Sequence, residues 1–244
     1  MIGIRKQKTS RRAVLAGGAA AGMALLLPGC GGGGGDLGGL GGGGLAGVGG
    51  AFSLADVLRR LLTLSSQNAF ARLSGKGDFW QEQMAQMDLA KMTGNGGNVL
   101  SRMLVSSPFK AELEDQFAGL AAEAGKLAEP LVFFEARNIY TSDATRLLRK
   151  RPGEATNFLR KQMRDKLVDA IAPGLDRDLR KAADPALGAL VSPLSEAEIE
   201  ELVKALTSEI EEIIWDEIAA EERKIRANPQ ETDDLLLIRV FGER

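Results

Sequence analysis

Between residues 113 and 134, apolar side chains recur in steps of four and three: Leu113, Phe117, Leu120, Ala124, Leu127, Leu131 and Phe134. An α-helix, with about 3.6 residues per turn, brings residues so spaced onto one face. No stretch of the chain alternates apolar and polar residues with the two-residue period of a half-buried strand. The chain therefore reads as all-α, and the stripe as the buried face of a bundle helix rather than a coiled-coil seam. Pro130 lies inside the stripe and is expected to kink the helix or split it in two.

Further helices follow from start and stop signals. Ser53 with Asp56 three residues on opens a helix whose apolar positions are Val57, Leu58, Leu61, Leu62 and Leu64. Gly75-Lys76-Gly77-Asp78 ends it, without the spacing of a phosphate loop. Thr141-Ser142-Asp143-Ala144 starts a short helix that ends near Arg151-Pro152-Gly153. The next carries Phe158, Leu159, Met163, Leu167, Val168 and Ile171 inward, with Pro173-Gly174 marking its end or a kink. Asp184-Pro185 to Ser192-Pro193 reads as a linker. Ser195 and Glu198 then form a capping box before a long amphipathic helix that Asn228-Pro229 stops. Thr232-Asp233-Asp234 caps a last apolar turn, Leu235 to Phe241. The expected architecture is a compact bundle of about six to eight helices over residues 51–244.

Ahead of that domain, Arg5, Lys6, Lys8, Arg11 and Arg12 precede an apolar run from Ala13 to Leu27, the layout of an export signal over residues 1–29. The run is short and rich in Gly and Ala, which disfavours a membrane span. Arg11-Arg12 after Ser10 resembles a twin-arginine signal, and Leu27-Pro28-Gly29-Cys30 resembles a bacterial lipobox. Cys30 is thus expected to be lipidated by palmitate-like chains, each buried methylene contributing about 0.8 kcal/mol to anchoring. Gly31 after the cysteine points to the outer membrane by the sorting rule of enteric lipoproteins. Residues 30–50, mostly glycine after Cys30, read as a flexible tether with a reach of roughly 25 Å. The localisation expected is the cell envelope, lipid-anchored and facing the periplasm.

Composition excludes several chemistries. The chain has no histidine and one cysteine. That removes Ser-His-Asp and Cys-His mechanisms, His-ligated metals and any internal disulfide. Residues 1–29 hold five of the 31 basic residues and none of the 33 acidic ones, so the chain from Cys30 carries about −7. Nothing there invites nucleic acid. No cofactor is expected. The methionines Met84, Met87, Met92 and Met103 suggest copper(I) ligation or, more simply, core filling. Eight basic residues between Arg146 and Lys166 suggest either anionic headgroups or an acidic partner, or a solvated face balanced by nearby acids. Carboxylate chemistry remains open at Glu135, Arg137 and Asp143, and at Glu221, Glu222 and Arg226. Glu222 and Arg226, spaced i to i+4, read as a structural ion pair.

Residues from about 53 to 242 resemble a family of exported bacterial proteins, domain-of-unknown-function family 4197. The carrying residues are Asp143-Ala144, Ala155-Thr156 and Pro173. The most specific are Glu221-Glu222, Ile225-Arg226, Asn228-Pro229, Thr232, Leu235-Leu236 and Val240-Phe241-Gly242. The family's Arg-Thr-Thr before the last helix is replaced by Glu231-Thr232-Asp233. The resemblance implies an all-α periplasmic domain and no particular activity. The leading functional expectation is a non-enzymatic envelope lipoprotein whose domain binds another protein. A lipid carrier with a pocket between helices, or a carboxylate-based hydrolase or metal site, are the alternatives.

Overall fold

In the computed structural model, residues 53–74, 79–87, 107–181 and 184–242 are described. The expected export signal with Arg11 and Arg12, the lipobox-like stretch with Cys30, the expected glycine tether, Gly75–Asp78, Met92 and Met103 lie outside them. The helices are α1 (Leu54–Leu73), α2 (Phe79–Gln86), α3 (Ser107–Asn138), α4 (Ala144–Arg149), α5 (Glu154–Met163), α6 (Lys166–Arg180), α7 (Pro185–Val191), α8 (Glu196–Ala227) and α9 (Leu235–Phe241). A 3₁₀ turn, Pro229–Thr232, joins α8 to α9. No strand occurs among the described residues.

Helix α1 sits at the centre, touching α2, α3, α4, α5, α8 and α9. Its buried residues, from Val57 and Leu58 through Leu61, Leu62, Ser65, Ser66, Ala69 and Phe70 to Leu73, follow the i, i+4 rows of a broad stripe. Burying each large side chain contributes about 1.5–3 kcal/mol before entropic costs. Both expected capping boxes form. Ser53 Oγ accepts from Asp56 N at 3.2 Å, and Ser195 Oγ from Glu198 N at 3.4 Å. Each acid accepts back from its serine, and these bonds hold the Asp56 and Glu198 carboxyls below their ordinary pKa. Residues Val48–Arg244 make one compact unit.

Four expectations are corrected. First, the stripe of α3 does not stay buried. Leu113, Phe117 and Ala124 enter the core, but Leu127 and Phe134 are exposed; Ala121, Ala128, Val132 and Ala136 are buried instead. A strict seven-residue repeat drifts by about 20° per heptad around a straight helix. Over three heptads it leaves the face that α3 turns towards α1 and α2. The alanines on that face suit close approach, and Trp80 of α2 lies 3.7 Å from the point where a Cβ on Gly125 would stand.

Second, α3 is not split at Pro130 and α6 does not end at Pro173, each helix continuing past its proline. Both prolines are exposed, as are Lys126 and Asp169 four residues before them. The carbonyls that lose a helical partner thus lie on the solvent side, which lowers the cost of an internal proline. Third, the helix with Phe158 to Ile171 breaks at Arg164, whose φ is +49°, rather than at Pro173. Fourth, the presumed linker from Asp184 contains α7, whose first turn is capped by Asp184 accepting from Ala186 N at 2.8 Å and Leu187 N at 3.1 Å.

Candidate functional site

Glu222 and Arg226 lie one turn apart near the end of α8, and their side chains are 0% and 4% exposed. Arg226 Nη2 stands 2.7 Å from Glu222 Oε1. The pair works outward in two directions. Glu222 Oε2 accepts from Thr156 N at 2.8 Å and from Thr156 Oγ1 at 2.7 Å. Thr156 is the third residue of α5, whose N-cap is Gly153. Glycine is suited to the +94° φ there, but it has no side chain to accept from the first amides. The carboxylate of α8 fills that role.

Arg226 does the converse at the end of α4. Nη1 donates to Leu148 O at 3.0 Å and Lys150 O at 3.3 Å, and Nη2 to Leu147 O at 3.3 Å. Leu148 O is among the carbonyls that the end of a helix leaves without an intrahelical partner, and Leu147 O, which also accepts from Lys150 N at 3.3 Å, takes a second donor. A cation there and an anion at the start of α5 each complement the local backbone dipoles. The guanidinium also sits 5.2 Å from the centre of the Phe241 ring, tying α9 to the same point. The signature of the chain's tail therefore builds the corner between α4 and α5.

Glu221, next in sequence, points elsewhere because adjacent helical residues diverge by about 100°. It faces α1, accepting from Asn68 Nδ2 at 3.3 Å, with Lys224 Nζ at 3.8 Å and Arg72 Nη1 at 3.9 Å. Glu217, one turn earlier, pairs with Arg72 Nη1 at 2.9 Å. Burial raises the Glu217 pKa; Glu221 adds to the rise, and Arg72 with the neighbouring Arg223 and Lys224 opposes it. A cavity of about 200 Å³ adjoins Glu221, lined also by Asn68, Lys224, Asn228, Glu231 and Thr232. Among the described residues no cluster of three or more acidic or thiol ligands could hold a metal ion.

The raised pKa of Glu217 has a testable sign. The folded state takes up a proton more readily than the unfolded chain, so its charge costs stability above the raised pKa and not below the ordinary 4.5. Glu217→Gln is expected to melt above the parent at pH 7. The gap should narrow as pH falls towards 4.5, read by calorimetry across that range.

The other sequence candidates separate. Asp143 is at the surface beside Arg146, whose hydrogen bond lowers the Asp143 pKa. Glu135 pairs with Lys166 on α6 and Arg137 lies 5.9 Å from the Phe133 ring, so each has its own neighbour. In the basic segment, Arg146, Lys150, Arg160 and Lys166 all face acids: Asp143, Glu154, Glu211 with Glu212, and Glu135. Met84 and Met87 are buried among core residues. The sequence reading missed Arg72, Asn68 and Glu217, and missed Arg60 pairing with Asp234. No local pattern distinguishes them from other surface-type residues of a helix.

Two open grooves remain. One, of about 710 Å³ between α6 and the first third of α8, has Val168, Ala172, Pro173 and Val203 on its walls. Charges of both signs stand at its rim, where Arg180 joins Asp176 at 2.7 Å and Glu196 at 2.8 Å. The other, of about 900 Å³, lies between the start of α1 and the turn into α9, with Arg59, Arg60, Arg137 and Leu235 among its walls.

No curated protein and no solved structure matches the chain. A family profile described as a protein of unknown function, DUF4197, matches residues 50–242. That span takes in the whole bundle together with the Glu222–Arg226 corner, and the chain belongs to this family.

Proposed function

We propose that the chain is a lipid-anchored protein of the cell envelope, probing its surroundings from a tether at Cys30, and that its helical domain is a non-catalytic module that binds a protein partner in the α6–α8 groove. The observation that carries the binding role is the make-up of that groove. Four apolar residues form its walls and Asp176, Arg180, Glu196, Glu200 and Lys204 stand around them. An apolar strip within a mixed-charge rim is the composition of a protein-binding surface, and it fits an extended or helical segment. The candidate acids support the reading from the other side, since Glu222, Glu221 and Asp143 are each engaged by structural partners. The anchor is carried by the lipobox-like Leu27-Pro28-Gly29-Cys30 and by the basic segment before it.

Two experiments test the two halves. A photo-crosslinking residue at Lys204 on the groove rim should yield an adduct of one size in cells. The same probe at exposed Lys126 on α3 should not. Identical adduct patterns from both positions would remove the groove from the account. Palmitate labelling should mark the parent and be lost in Cys30→Ala; equal labelling would contradict the anchor.

A further inference from the structure

We infer that the joint between α5 and α6 is a hinge that opens into one continuous helix, and that the partner it then takes is a second copy of this chain, exchanging α6–α9 in a domain-swapped dimer. Arg164 has φ +49° and ψ −125°, and Asp165 has φ −86° and ψ 0°. These are the dihedrals of the two central residues of a type II′ turn, whose first position belongs to glycine because a Cβ is crowded there. An arginine stands in it instead. Asp233 is the other non-glycine residue of positive φ among the described residues. Its ψ of 13° puts it near the left-handed region that aspartate tolerates. Arg164 has no such excuse, and its backbone is strained.

Nothing local asks for the bend. No glycine or proline occurs from Glu154 to Ala172, and Asp165, at the N-cap of α6, makes no side-chain capping bond. Arg164 and Lys166 are good helix formers. Leu159, Met163, Leu167 and Ile171 are all buried and keep a four-residue step across the joint. In an unbroken helix over 154–180 they would share a sector of about 120°, the width of an ordinary buried stripe. The sequence around Arg164 therefore suits a straight helix at least as well as a turn. Packing imposes the bend: α8 rests on α1 and α5, and α6 on α3.

Straightening the joint carries α6–α9 away from α1–α5, so a single chain would lose those contacts. Two chains lose none of them. Each supplies the other's α6–α9, and Thr156–Glu222, Arg160–Glu211 and Glu135–Lys166 re-form between copies. What the exchange removes is the strained turn, once in each chain. A short hinge under strain is the feature that favours swapping of an identical element between protomers. Both α6 and α8 follow the joint, so the α6–α8 groove travels intact, and the inference does not rest on that groove binding a partner.

The full chain with Cys30→Ala, which cannot form a disulfide, would be unfolded in guanidinium and refolded at low and at high protein concentration, then sized by chromatography with light scattering. Monomer is expected at low concentration, and a second, dimeric species at high concentration. Arg164→Gly eases the turn and weakens the straight helix, so it should lower the dimerisation constant about tenfold or more. Arg164→Ala keeps both the strain and the helix propensity, and should dimerise at least as well as the parent. Refolding a mixture of unlabelled and isotope-labelled chains shows how the copies join. A carbodiimide, which couples a carboxylate to an amine in direct contact, should link Glu135 to Lys166 between light and heavy chains in the dimer, and within one chain in the monomer. Glu123 and Lys126, both on α3, should be linked within one chain in either species. Monomer at every concentration would overturn the inference. So would a dimer whose Glu135–Lys166 links stay within single chains, one that Arg164→Gly leaves unchanged, or one lost in Arg164→Ala.

Discussion

Glu222→Ala should cost the domain about 3–5 kcal/mol, the range for removing one member of a buried ion pair. In a domain of this size that lowers the melting temperature by on the order of 10 °C. Three losses combine. Arg226, 4% exposed, loses the carboxylate that stands 2.7 Å from it. Thr156 loses the acceptor of both its amide and its hydroxyl. The first turn of α5, with glycine at its N-cap, has no replacement from its own sequence. Thermal melting gives the magnitude, and amide exchange should show Thr156 exchanging early relative to the middle of α1. Glu221→Ala, by contrast, loses one long hydrogen bond and distant lysine and arginine partners, so it should cost less.

The second large effect tests how α3 is turned. Val132→Asp would place a charge at a site with 0% exposure, and a loss of about 4 kcal/mol or more is expected, enough to leave much of the protein unfolded. Phe134→Asp, two residues on, should stay within about 0.5 kcal/mol of the parent, because that ring is mostly in solvent. The spacing of large apolar residues alone implies the reverse order. Chemical denaturation of the two variants separates the alternatives; a costly Phe134→Asp beside a tolerated Val132→Asp would mean α3 is rotated.

The contrast on α3 explains what could and could not be read beforehand. Local patterns were legible. Ser53 with Asp56 and Ser195 with Glu198 cap their helices through bonds three residues apart, and Asn228-Pro229 ends α8. Glu222 and Arg226 were legible as a pair because four residues on a helix bring side chains together. Their purpose was not. Thr156 is 66 residues from Glu222, and the α4 carbonyls are 76 to 79 from Arg226. Only packing of α8 against the corner reveals that one pair caps two helices.

Register was hidden for a different reason. Alanine and leucine count equally as apolar in a periodic pattern, yet α3 turns Ala121, Ala128 and Ala136 inward and leaves Leu127 beside Gly174 at the edge of α6, where an added Cβ would stand 3.2 Å from it. The break at Arg164 was invisible because Leu159, Met163, Leu167 and Ile171 keep the four-residue step across it. Internal prolines misled in the opposite direction, since a break is cheapest to avoid when the orphaned carbonyl faces water. Glu217 carries no sequence mark at all. Its raised pKa comes from burial against α1 and the nearby Glu221 charge.

Glu222 and Arg226, near the end of α8, build a corner of the fold rather than a reacting centre. A double-mutant cycle on Glu222→Ala and Arg226→Ala, followed by chemical denaturation, tests it most directly. Each single variant strands a buried partner, so the double variant should lose about 2–3 kcal/mol less than the two singles added together. Losses that simply add, or singles that leave stability untouched, would contradict the structural role and return Glu222 to the list of groups available for chemistry.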